Sequence, residues 1–273
     1  MIATRTMPPH FLEWNDMRSA PSGRPLKLTG RLGTNRFAIR YRGPFAWQQN
    51  NGTRTFEYPW AYHEIAAHGR HLRVVEIGGG LSGLQFVLAR EGHEVVNVDP
   101  GFGWALDRSQ HAALCHVFRA PVRLIPTTID RAGLPNRSAD IVLCVSVLEH
   151  LTSDHLATFA EYVPRILKPD GLAILTVDLF LDVAPFSPMA ANRWGRNVDV
   201  NLLLAQSGLT LWKGNRAELL GFPEFEPGAV LSQLGRYVLG TYPCVSQCFV
   251  AKPRPDGAPP MQSDERRHAD CHA

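Results

Sequence analysis

The chain has 273 residues, of which 45% are hydrophobic, so it can bury a sizeable core without disulfides or metals. Its net charge of +3 is too small to demand a nucleic-acid partner. The first residues, broken by Pro8, Pro9, Glu13 and Asp16, contain no apolar leader, and no apolar run approaches membrane-spanning length.

An N-terminal arm or lid is expected over residues 1–55, rich in Arg, Pro and Gly and weakly periodic. Arg18, Arg24, Lys27, Arg31, Arg36, Arg40 and Arg42 read as a solvated surface, with a patch for an anionic substrate as the sharper alternative. The aromatic run Phe56 to His63 leads into a short helix. Tyr58, Trp60, Tyr62 and His63 there could lid a cofactor or clamp a flat acceptor, or else pack a helix on a sheet.

From Leu72 the pattern alternates between strands and helices. Arg73–Ile77 is an apolar strand that ends in Gly78-Gly79-Gly80. Leu84, Val87 and Leu88 recur at helical spacing, and Gly92 stops that helix. Glu94–Asp99 is the second strand, Trp104–Phe118 a helix, Val122–Ile125 the third strand and Asp140–Val145 the fourth. Leu156, Phe159, Ala160, Val163 and Leu167 mark one face of a helix capped by Ser153. Lys168-Pro169-Asp170-Gly171 reads as a turn before a fifth strand, Leu172–Val177. A helix over Val198–Ser207 and strands over Leu209–Trp212 and Val245–Ala251 follow. The segment from about 180 to 240 is an insertion that would cover the acceptor, and 253–273 is a polar, Pro-rich tail.

This rhythm predicts an α/β fold: a doubly wound, mostly parallel seven-stranded sheet with helices on both faces and an antiparallel last strand. The principal domain spans residues 56–252.

Gly78, Gly80 and Gly83 satisfy G-x-G-x-x-G, and Asp99 lies about 20 residues on, as in nucleotide-binding folds generally. Glu76 discriminates among them. It sits at the end of a strand buried on both faces, where a carboxylate is costly without a polar partner such as a ligand ammonium group.

Glu76-Ile77-Gly78-Gly79-Gly80-Leu81-Ser82-Gly83 resembles motif I of the class I S-adenosylmethionine-dependent methyltransferases, with Ser82 replacing the third glycine. Asn97-Val98-Asp99-Pro100 is similar to that family's second-strand end, whose acid binds the ribose hydroxyls. Thr128-Ile129 falls where the family places its adenine-contacting pair. Ser146-Val147-Leu148-Glu149-His150-Leu151 resembles the segment closing its fourth strand, and Leu167–Gly171 its turn before the fifth. The resemblance covers roughly residues 72–180. It implies S-adenosylmethionine as cofactor, held by Glu76, Gly78, Gly79, Gly80, Ser82, Asp99, Pro100, Thr128, Ile129 and Ser146.

It also implies in-line transfer of a methyl group, for which a hydroxyl acceptor benefits from a general base. His150 is the first candidate base, followed by Glu149 and Asp178. The D/N-P-P-Y/F motif of base-methylating enzymes is missing after the fourth strand, and the one Pro-Cys pair, Pro243-Cys244, lies far along the chain. Asp178 is followed by Leu179, so the acid-then-Asp-Asn pattern of magnesium-dependent enzymes is incomplete. The acceptor expected by elimination is a small molecule methylated at oxygen (a sugar, lipid or secondary metabolite). Methylation of protein or RNA, and a nicotinamide-dependent oxidoreductase, are the alternatives.

His111, His116 and His155 read as helix-surface residues, and no metal site is expected. Five scattered cysteines imply a reducing, cytoplasmic setting, with Cys144 in the core. Oligomeric state has no signature.

Overall fold

The computed structural model describes residues 1–18, 20, 40, 43–45, 51–101 and 108–254. The described elements are α1 (Pro9–Arg18), α2 (Arg54–His68), β1 (Arg73–Ile77), α3 (Gly83–Arg90), β2 (Glu94–Val98), α4 (Arg108–Phe118), β3 (Val122–Ile125), β4 (Ala139–Val145), α5 (Ser153–Ile166), β5 (Leu167–Phe180), α6 (Val200–Ser207), β6 (Leu209–Lys213), α7 (Pro227–Ser232) and β7 (Cys244–Pro253). The seven strands form one sheet in the order β3-β2-β1-β4-β5-β7-β6. β1 pairs parallel with β2 and β4, and β7 runs antiparallel between β5 and β6. The expected architecture is therefore present.

Strand alternation sends side chains to two faces, and each face has its own core. Val74, Val95, Ile141, Leu143 and Ile174 face a cluster that includes Phe56 and Ile65 of α2 and Leu84 and Leu88 of α3. Val75, Val96, Val142, Cys144 and Leu175 face Phe159, Val163 and Ile166 of α5 and Leu203 of α6. The strands are apolar on both sides because helices cover both sides.

The described residues before β1 hold more regular structure than their composition implies. Ile2 bridges to Gln247, extending the sheet at β7, and α1 packs on α2. α2 itself begins at Arg54 and runs through Pro59. Proline lacks the N–H that would bond the carbonyl of Thr55, and Asn15 of α1 donates to that carbonyl instead, at 2.9 Å. A side chain from the neighbouring helix thus satisfies the acceptor that the proline frees.

Three local expectations are corrected. The cap of α5 is Thr152, whose hydroxyl accepts from the amide of His155, not Ser153. Lys168–Gly171 is not a free turn but the bulged start of β5: Leu167 pairs with Ala139, and the register shifts before Leu172 pairs with Ile141. His111 is buried at 3% exposure, with its Nε2 3.1 Å from the amide oxygen of Gln85, because α4 turns that face inward. The strand ends move by a few residues, most at β5, which continues through Asp178 to Phe180. Pro253 belongs to β7, and the rest of the expected tail beyond residue 254 lies outside the described residues, as do Trp104, Cys271 and most of the basic positions between 24 and 42. The segment from 180 to 240 holds α6, β6, α7 and short helical turns.

Candidate active site

β1 and β4 are neighbours, yet the chain leaves them toward opposite sides of the sheet, which opens a crevice at their C-terminal ends. The loop after β1 fills the near side. Gly78 and Gly80 take left-handed backbone at φ +67° and +51°, the region glycine enters without a side-chain clash. A Cβ on Gly79 would lie 2.6 Å from the Glu76 carboxyl carbon and 2.9 Å from Asn97 Oδ1. The bare glycine backbone therefore lies directly against the two polar side chains beneath it.

Glu76 is 2% exposed. Ser82 Oγ donates to its Oε1 at 2.8 Å, so the serine that departs from the usual glycine supplies the carboxylate with a partner. Its Oε2 and the Oδ1 of Asn97 are buried with no hydrogen-bond partner among the described residues. Burial pushes the Glu76 carboxyl up to about 7, against the Ser82 hydrogen bond that lowers it. Asp99, at the end of β2, accepts from the amides of Gly80 at 2.8 Å and Gly101 at 2.7 Å, so it organises both loops. Pro100 lies between those two contacts in sequence. Thr128 precedes a short helical turn, Ile129–Arg131, and Ile129 is buried.

The far side of the crevice is built around α2. Glu57 is fully buried. Its Oε1 accepts from the hydroxyls of Thr176 at 2.5 Å, Ser146 at 2.7 Å and Ser246 at 2.7 Å, while Arg54 pairs with its Oε2. Arg54 also donates to Ser146 Oγ at 2.7 Å. Ser146 sits at φ +47°, a conformation that costs a non-glycine residue energy and is held by these contacts. Burial disfavours the Glu57 charge, but Arg54 and the three hydroxyls outweigh it and hold the carboxyl below its ordinary range.

Asp178 is fully buried beside this pair, 3.2 Å from Ser146 Oγ. The Tyr242 phenol donates to its Oδ2 at 2.6 Å. Burial, then the charge of Glu57, push the Asp178 carboxyl up, while Arg54 pulls it down. Glu149 is also fully buried: its Oε1 accepts from the Asp178 amide at 3.2 Å and its Oε2 has no partner among the described residues. Burial and the nearby Asp178 push it well above the carboxylate range. His150 reaches the surface. Its Nδ1 donates to the Trp194 carbonyl, and its Nε2 lies 3.9 Å from Glu149 Oε1. Trp194 stacks on Tyr242 with ring centroids 4.9 Å apart.

The structure thus brings Glu149, His150, Asp178 and Ser146 to one place. The N-terminal aromatics divide. Tyr58 lies beside Arg54, whose guanidinium is 5.9 Å from its ring, and burial pushes the phenol up to about 12. Trp60 is buried in the core. Tyr62 bonds Glu91, and His63 stacks on Phe11 of α1 at 5.5 Å, so these two are engaged in helix packing. Arg54, Glu57, Trp194, Tyr242 and Ser246 were missed by sequence reasoning. They come from segments far apart in the chain and carry no motif; the one available signal was Arg54 and Glu57, opposite charges three residues apart at a helix start.

Residues 75–175 match the family model described as "Methyltransferase domain". Over that stretch the chain resembles the class I S-adenosylmethionine-dependent methyltransferases. Over 105 residues it is 31% identical to a protein named "Ubiquinone biosynthesis O-methyltransferase" from Bradyrhizobium diazoefficiens, covering 38% of this chain and 39% of that one. A protein of the same name from Bradyrhizobium sp. strain ORS 278 is 32% identical over the same span, so the chain matches about two fifths of the length of these relatives. In fold it resembles the Burkholderia thailandensis 1,6-didemethyltoxoflavin-N1-methyltransferase (TM-score 0.53, 19% identity, 86% of this chain and 93% of that chain). It equally resembles the [4+2]-cyclase SpnF (TM-score 0.50, 15% identity, 86% and 99%). The match favours a methyltransferase over the nicotinamide alternative.

The methyltransferase domain's own residues fit the cofactor. The unpartnered Glu76 Oε2 suits an ammonium group, the glycine cradle suits close approach of the cofactor's chain, and Asp99 can accept from ribose hydroxyls in addition to its amide bonds. Among the described residues no three His, Cys, Asp or Glu side chains gather as a metal site, and no helix is long and apolar enough to cross a membrane.

Proposed function

We propose that this chain transfers the methyl group of S-adenosylmethionine to a hydroxyl of a small molecule, and that Asp178 receives the acceptor's proton through Tyr242. The observation that carries the reading is the 2.6 Å hydrogen bond from Tyr242 to Asp178 near the C-terminal end of β5. The cofactor supplies an electrophilic methyl group on a sulfonium. The acceptor hydroxyl would bond the phenol oxygen of Tyr242, a half-buried residue. As the acceptor hydroxyl is methylated, its proton would pass to Tyr242 and the Tyr242 proton to Asp178. A carboxylate whose charge is disfavoured by burial is the stronger proton acceptor. The cofactor would be held by Glu76, Gly78, Gly79, Gly80, Ser82, Asp99 and Pro100, with Thr128 and Ile129 beside the adenine. The name of the Bradyrhizobium relatives supports oxygen as the methylated atom. The four free cysteines among the described residues support a reducing cytoplasmic setting.

A second reading makes His150 the base. Its Nδ1–H is committed to the Trp194 carbonyl, which leaves the Nε2 lone pair free to accept a proton. Methyl transfer from labelled S-adenosylmethionine to a panel of catechols and sugars separates the two. Loss of turnover in Tyr242→Phe and Asp178→Asn, with His150→Gln active, supports Asp178. The reverse pattern supports His150.

A further inference from the structure

Three buried carboxyl groups, Glu57, Glu149 and Asp178, crowd around one buried guanidinium, Arg54. The pairing within this group is unequal. Glu57 takes Arg54 and three hydroxyls; Asp178 takes a phenol and one long contact to Ser146. Ser146 Oγ lies between them, 2.7 Å from both Arg54 and Glu57 and 3.2 Å from Asp178. We propose that Glu57, on the helix before the first strand, is a positioning residue for methyl transfer: it takes the direct ion pair with Arg54 and so leaves Asp178 without a hydrogen-bonded cation, free to accept a proton. This rests on the reading of Asp178 as proton acceptor.

The groups that face Asp178 are Arg54 and Glu57 from α2, Glu149 and His150 from the turn after β4, Tyr242 just before β7 and Cys244 at its start. Glu57 and Arg54 act on it with opposite sign: the first favours its protonated form and the second its ionised form. Removing the Glu57 charge would turn Arg54 onto Asp178, make its carboxylate more stable and weaken it as a base. Removing Arg54 would leave two carboxylates facing each other and make Asp178 harder to ionise. A Glu57 that merely pinned α2 to the sheet would move the Asp178 titration in neither direction.

The test is a carboxyl-carbon NMR titration of the full chain, labelled at aspartate and saturated with S-adenosylhomocysteine, with the Asp178 signal assigned by its loss in Asp178→Asn. In Glu57→Gln the Asp178 midpoint moves to lower pH by about one unit or more, and in Arg54→Gln it moves to higher pH. Cooperative melting and retained S-adenosylhomocysteine binding identify the variants that fold, and either one suffices. A folded variant whose Asp178 titrates at the wild-type pH overturns the proposal. Turnover of catechol by Asp178→Asn tests the underlying reading separately: activity kept there removes Asp178 as the base even if the titration shifts as expected.

Discussion

The two sides of the crevice are built by different means. On the proposed cofactor side, ten residues from Glu76 to Gln85 and a short stretch ending at Gly101 supply almost everything: carboxylate, glycine cradle, serine partner and the aspartate that ties the loops. On the proposed acceptor side, side chains from α2, β4, β5, β7 and the segment around Trp194 converge across separations of up to 189 residues. A compact loop can be fixed by its own backbone requirements. A convergent cluster is fixed by the whole fold and can vary without breaking a motif.

If that contrast is right, variants on the two sides should fail differently. The largest effect is expected on the acceptor side: Asp178→Asn should lower turnover by about 10²–10⁴-fold while leaving S-adenosylhomocysteine affinity within a few-fold of wild type. Equal losses of both, read by calorimetry and a labelled-methyl assay, would mean that the two sides are not separable.

A smaller effect belongs to Glu76. Its carboxyl is pushed up to about 7 in the folded chain, above the ordinary value of about 4.5, so the folded state holds a proton that the unfolded state has lost between those pH values. The contribution to stability is therefore fully present below about pH 4.5 and is lost as pH rises through about 7. A bound ammonium group favours the ionised form, so S-adenosylhomocysteine affinity should rise severalfold from pH 5.5 to about 7.5 with release of a proton. In Glu76→Gln that pH dependence should vanish. Calorimetry in buffers of different ionisation heat reads the proton directly, and an unchanged slope in the variant would remove Glu76 from the site.

The smallest effect lies outside both halves. Thr152→Ala removes the cap of α5 and should cost about 1 kcal/mol in denaturant melts without altering affinity or turnover. A change in turnover would mean that α5 couples to His150, two residues before its cap.

The same contrast explains how much the sequence disclosed. β1 and β3 were read to the residue because apolar strands in a doubly wound sheet are short and bounded by Gly and Pro. Glu76 stood out because a carboxylate in such a strand needs a reason, and Ser82 at 2.8 Å is part of that reason. His111 was misread because its polar partner, Gln85, comes from another helix, and periodicity within α4 holds no record of it. Glu57 passed unnoticed for the same reason. It lies in an aromatic helix whose buried face looked apolar, and its partners Thr176 and Ser246 meet only after β5 and β7 pair. Asp178 was singled out by its place after a strand; that Tyr242 would reach it was not legible.

The central claim is that this crevice binds S-adenosylmethionine through the loop after β1 and Asp99. Calorimetric titration of the purified chain with S-adenosylmethionine, S-adenosylhomocysteine and NAD, beside Asp99→Ala, tests it most directly. Micromolar binding of the first two, weakened at least about 10-fold in the variant, is the predicted result. Binding of NAD alone, or cofactor affinity untouched by loss of Asp99, would contradict it.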